Sequence, residues 1–119
     1  MGFWIFMLCM NLMVPFMMAV LGWVFAHKPP KEINNIYGYR TQRSMASREA
    51  WAFAHIYFGK IWFSMGLMML VLAVIAMLFC MGKSDNIVGI WGAAVEGAEC
   101  VLMLLPILPT ERALKRNFG

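Results

Sequence analysis

Charge is scarce in this sequence. Charged residues make up 13% of the 119, about half of the roughly 25% carried by a soluble domain, while hydrophobic residues make up 62%. A chain this short cannot hide so much apolar surface from water, which points to lipid as its solvent. Cysteine is scarce too. Cys9, Cys80 and Cys100 lie in apolar stretches with no CxxC pair, which argues against a disulfide framework or a zinc site and leaves small buried hydrophobes. No linker, low-complexity tract or internal repeat divides the chain, so residues 1–119 are read as one domain. The basic residues flank apolar runs and form no groove-reading or strand-binding motif, so nucleic acid is not an expected partner.

Three long apolar runs are what the sequence has instead. They cover about residues 3–26, 56–81 and 87–108, each long enough at about 1.5 Å per residue to cross a core of about 30 Å. The first lacks a preceding Lys or Arg and exceeds a signal-peptide core, so it is read as a retained helix. The second helix is expected to start early, near Ser47, a good N-cap ahead of Arg48 and Glu49. Gly82 to Asn86 make a short polar turn before the third run. The 27–50 loop carries Lys28, Lys31, Arg40, Arg43 and Arg48, and the tail carries Arg112, Lys115 and Arg116, against Lys83 alone in the turn. By the positive-inside rule the loop and the C-terminus are cytoplasmic and the N-terminus is outside. The expected fold is all-α: an integral membrane three-helix bundle.

Glu96 and Glu99 are the most costly residues in the chain. They share a helix face, and Glu96 lies about 13 Å into the third run. A carboxylate there must be neutralised, paired or turned to a polar cavity. Aligning depths suggests a midplane polar cluster of Asn11, Ser64, Glu96 and Glu99, with Pro15 leaving the Asn11 carbonyl without its helical donor. Two readings are open: proton or polar-ligand binding, and hydrogen-bonded glue between helices. Gly89, Ala93 and Gly97 recur every fourth residue and suit close helix packing, within the chain slightly more than in a homodimer. Thirteen scattered methionines read as packing rather than as copper ligands. His27 and His55 read as interfacial hydrogen-bonding residues rather than a metal pair. No metal or cofactor is expected.

The loop is too long and too aromatic for a plain connector. Pro29-Pro30 stop the first helix, Gly38 permits positive φ between Tyr37 and Tyr39, and Arg40 offers a fork of donors for carboxylate or phosphate. Tyr37, Tyr39 and Trp51 suit the membrane interface, and the arginines suit anionic headgroups.

The run Ile33-Asn34 … Tyr37-Gly38-Tyr39-Arg40-Thr41 … Ser44-Met45 … Trp51 … Ala54-His55 … Phe58-Gly59-Lys60, with the tail Pro109-Thr110-Glu111 … Leu114-Lys115 … Phe118, resembles the SdpI family of small bacterial membrane immunity proteins. The resemblance covers nearly the whole chain; Ser47 stands where the family is expected to have Asn. It implies a multi-pass protein of the bacterial cell membrane that protects a cell from a secreted, membrane-active toxic peptide. It also puts forward Asn34, Tyr37, Gly38, Tyr39, Arg40, Thr41, Ser44, Trp51, His55 and Glu111 as the functional loop, and Arg40 is expected to pair with Glu111. Some longer members also signal, by holding a transcriptional repressor at the membrane when toxin is present. This chain resembles the SdpI domain alone, which makes signal transduction the less expected role. The partners implied are the bilayer, the toxic peptide or its membrane target, a second copy of the chain, and a cytoplasmic repressor protein. The alternative function is a small oligomeric transporter or proton-linked channel using Glu96 and Glu99. An enzyme acting on lipid headgroups through Arg40 and His55 would need a nucleophile, a base and an oxyanion or metal site. The sequence offers none of these, so catalysis is not expected.

Overall fold

The computed structural model describes residues 2–31, 33 and 38–118. Among them there is no strand. The order is α1 (Gly2–His27), a short 3-10 turn (Ser44–Ala46), α2 (Arg48–Leu78), α3 (Asp85–Leu104) and α4 (Ile107–Phe118). Three helical stretches, α1, α2 and α3 continued by α4, are long and apolar enough to cross a membrane. The molecule measures 52 × 22 × 22 Å, and large apolar side chains such as Met68, Phe79 and Ile90 point outward, an arrangement that suits a lipid surround.

α2 starts at the Ser47 cap, whose Oγ accepts from the Ala50 amide at 3.0 Å. Gly82 turns the chain at φ +81°, and Ser84 caps α3 by accepting from the Ile87 amide. The third span differs from expectation beyond Pro106. Proline offers no amide to the preceding turn, so α3 stops there. The tail then resumes as α4 instead of running free. Thr110, Ala113 and Leu114 face inward and Arg112, Lys115 and Arg116 face outward, and that inner stripe is what holds the tail helical.

The tightest contact joins α1 to α2. A Cβ on Gly59 would sit 2.6 Å from the Ala26 nitrogen, and one on Gly66 2.6 Å from the Ala19 nitrogen. In lipid, apolar surfaces gain little by leaving their solvent, so helices associate through close van der Waals packing, which small residues permit. α3 leans mainly on α1 and meets α2 less. The expected small-residue stripe is not what packs it. Ala93 and Gly97 are exposed, and a Cβ on Gly97 would meet nothing within 4 Å. α3 instead turns Val88, Gly92 and Glu99 inward, about 100° around the helix from the glycine stripe.

Two cores result. At the turn end Met77, Cys80 and Val88 pack with Trp4, Met7 and Leu8. At the loop end Phe25, Tyr39, Ala50, Ala54, Phe58 and Leu114 join α1, the loop, α2 and α4.

Candidate functional site

The loop is locked onto the bundle by a small number of directional contacts. Trp51 is 1% exposed, and its indole donates to the Pro30 carbonyl at 2.8 Å, which ties the exit from α1 to the first turns of α2. His55, one turn on, lies 4.3 Å from the Trp51 ring and meets the Phe25 ring edge-on at 5.0 Å. Its Nε2 accepts from the Tyr39 amide at 2.8 Å, and its Nδ1 sits 2.7 Å from the Trp51 carbonyl. An amide can only donate and a carbonyl can only accept, so the ring is neutral with its proton on Nδ1. Both nitrogens are thereby committed to backbone, which leaves His55 no free lone pair for a metal or a substrate proton.

Gly38 is the residue that lets the loop reach this histidine. Its φ is +117°, a region that side chains rarely enter. A Cβ there would also run into His55 Nε2 and lie 3.2 Å from Trp51. The next residues close a compact turn. Ser44 Oγ accepts from the Thr41 amide at 2.9 Å, and its single proton is shared between the Tyr39 and Thr41 carbonyls, both at 2.9 Å. The Ser44 amide donates to Thr41 Oγ1 at 3.2 Å, and Thr41 Oγ1 donates in turn to Glu111 Oε2 at 3.3 Å. This relay fastens the loop to α4.

Tyr39 packs on Phe58 with ring centroids 4.6 Å apart. Its hydroxyl oxygen is buried without a hydrogen-bond partner. Burial first, and then the neighbouring Glu111 charge, pushes the phenol above its ordinary range.

The residues put forward as a functional surface therefore divide. Tyr39, Ser44, Trp51 and His55 are buried and build the loop; Tyr39 and Trp51 belong to the protein interior rather than to the lipid interface. Arg40 is exposed, and among the described residues it forms no ion pair with Glu111, whose carboxylate takes the Thr41 hydroxyl instead. Asn34 and Tyr37 lie outside the described residues.

Two clefts flank the locked loop. One, of about 370 Å³, is lined by Arg40 together with Phe25, Tyr39, Phe58, Trp62 and Ile107. A fork of donors in a largely aromatic cleft suits a group that is anionic at one end and apolar at the other. The other, of about 500 Å³, lies between the loop and α4 and is lined by Gln42, Arg43, Ala46, Glu111, Leu114 and Phe118.

The midplane cluster is only partly assembled. Asn11 is fully buried and donates to Met77 Sδ at 3.2 Å, close to Gly92 of α3. Glu96 is half-buried and Glu99 is buried one turn on. Ser64 does not join them. It lies two residues before the inward Gly66, about 200° around α2, and is exposed.

Sequence reasoning missed the α1–α2 seam and the indoles. Ala19, Gly22 and Ala26 with Gly59 and Gly66 were its signal. Trp4, Trp62 and Trp91 each donate across to a carbonyl of another helix, a role that a lone tryptophan in an apolar run does not announce.

Among known proteins, residues 31–110 match the SdpI/YfhL protein family. Over 51 residues the chain is 39% identical to "Uncharacterized protein YfhL" of Bacillus subtilis (strain 168). That match takes in 43% of this chain and 46% of the relative, so it spans less than half the relative's length. No solved structure matches the chain.

Proposed function

Since the chain belongs to the SdpI/YfhL protein family, we propose that it is a membrane immunity protein of the bacterial cell membrane. It protects the cell from a secreted, membrane-active toxic peptide. The observation that carries this reading is where the family match falls. Residues 31–110 take in the loop, α2, α3 and the first residues of α4, and within them the Tyr39 amide is bonded to His55, which fastens the loop to α2. The loop and C-terminus face the cytoplasm in this reading, which the excess of Lys and Arg in both segments supports. Protection works by occupying the peptide or its membrane target within the spans. The cleft between the loop and α4 then offers a cytoplasmic face on which a repressor protein can dock, which is the signalling form of the same role.

Growth of sensitive bacteria in the presence of a family-type toxic peptide tests the reading. Cells that express this chain are expected to grow at peptide doses that stop vector controls. Equal killing of the two contradicts it.

A second reading is supported by one observation. The buried oxygens of Glu96 and Glu99 have no hydrogen-bond partner, as a proton-linked channel or carrier would require of groups in its path. It predicts proton flux into liposomes that Glu99→Gln abolishes, whereas the immunity reading predicts protection without flux.

A further inference from the structure

Two indoles tie α2 to α3. Trp62 donates to the Met103 carbonyl at 3.0 Å near the loop end, and Trp91 donates to the Ala76 carbonyl at 2.6 Å nearer the turn. Between the ties the helices stand apart, because α3 leans mainly on α1 and the facing residues include Ala73, Ala76 and Ala98. An open groove of about 210 Å³ results, its wall almost wholly apolar apart from Glu99.

Glu99 is 4% exposed, and neither of its carboxyl oxygens has a hydrogen-bond partner. Glu96 Oε2, beside it on the same helix face, and Asn11 Oδ1 are likewise buried without a donor. Each orphaned atom in the spans is thus an oxygen, and with the carboxyls ionised all of them can only accept. Such groups are costly to leave unmade in a low-dielectric interior, and a guest that supplies donors relieves the cost. A hydrated metal ion is a poor guest, since it seeks about six oxygen ligands and the wall offers one carboxylate among Met, Leu, Val and Ala. A membrane-inserted peptide brings its own apolar surface and needs only one donor group.

We propose that the α2–α3 groove is a binding site for an apolar, membrane-inserted peptide that carries one cationic side chain, Lys or Arg, to the level of Glu99. The apolar residues of the guest lie against Leu72, Val95 and Leu102. Its ammonium or guanidinium takes up Glu99 as that buried side chain turns its carboxyl into the groove, with the Glu96 carboxyl beside it. The inference rests on the immunity reading only for the natural identity of such a peptide.

The test uses the full chain in phosphatidylcholine vesicles with two synthetic Leu/Ala transmembrane peptides, identical except for Lys or Leu at the central position. Association is read by energy transfer between labels. The Lys peptide is expected to bind about tenfold more tightly than the Leu peptide, the scale of one hydrogen bond between helices in lipid. Glu99→Gln should abolish that preference. Ala98→Leu, at an exposed position, should weaken binding of the Lys peptide by filling the groove while leaving both carboxyls in place, which guards against misfolding of the Glu99 variant. Equal binding of the two peptides, or a preference that survives both substitutions, overturns the site. No toxin is used, so failure of protection in cells counts against the immunity reading and failure here counts against the groove.

Discussion

The backbone amide of Tyr39 donates to the imidazole of His55 across 2.8 Å, and this bond decides how the loop sits on the bundle. With Nδ1 held by the Trp51 carbonyl at 2.7 Å, His55 is a neutral pin with two backbone partners. Nitrogen NMR of labelled protein is expected to show a protonated Nδ1 and an unprotonated, hydrogen-bonded Nε2. His55→Ala removes both bonds and leaves a cavity, at a cost of about 2–4 kcal/mol readable by thermal unfolding in detergent. A ring protonated on Nε2 at neutral pH would refute the assignment.

Gly38 and Gly82 both have positive φ, at +117° and +81°, but only Gly38 is crowded, by His55 and Trp51. Gly82→Ala is expected to cost about 1 kcal/mol, the backbone penalty alone. Gly38→Ala should cost well over that, since strain and clash add. Equal costs would mean that the loop does not press on His55.

Gly59 and Gly97 make a second contrast. Gly59→Ala drives a methyl against the α1 backbone and should cost about 1–3 kcal/mol, while Gly97→Ala points into open space and should stay within about 0.5 kcal/mol. Unfolding midpoints of the two variants check this.

Much of the fold was legible because membrane helices obey few rules. Length, hydropathy and the Ser47 cap foretold three helices and the early start of α2. Rotation about each helix axis was not legible. Ser64 and Gly97 sat at promising depths or spacings, yet both face outward, because which face turns inward is set by where backbones come closest. Those points are Gly22 against Phe63, Gly59 against Ala26 and Gly66 against Ala19. From the loop motif, Tyr39, Thr41, Ser44, Trp51 and His55 make the contacts that hold the loop, in parts the motif did not announce. Tyr39 and Trp51 looked like interfacial anchors, since nothing local says that a histidine sixteen residues along the chain will take the Tyr39 amide. Glu111 was rightly linked to the loop, but through Thr41 rather than Arg40.

That difference is itself testable. Thr41→Val and Glu111→Gln should be coupled, with a double variant departing from additivity by about 0.5–1 kcal/mol. Arg40→Ala and Glu111→Gln should add, and exchanging the two charges through Arg40→Glu with Glu111→Arg should restore nothing. Rescue by the exchange would show that the ion pair forms after all.

Tyr39 sets an alkaline limit. Its phenol is pushed up by burial and then by Glu111, so the folded protein holds that proton more tightly than the unfolded chain. Its contribution to stability is intact below about pH 10, the ordinary tyrosine value, and is lost as pH rises beyond it. Wild type should therefore lose stability between about pH 10 and pH 12 more steeply than Tyr39→Phe. Parallel profiles would place the Tyr39 hydroxyl in contact with water.

The proposed protection would be exercised at the membrane, and membrane potential is its nearest readout. Sensitive bacteria would carry an empty vector, this protein or its Arg40→Ala variant at matched expression, and be challenged with a family-type toxic peptide while a potential-sensitive dye is followed. The wild-type protein is expected to hold the potential while vector cells collapse. A weaker hold by the variant would assign the exposed Arg40 a part in the protection. Collapse at the same rate with wild-type protein and with vector would rule out protection by this protein.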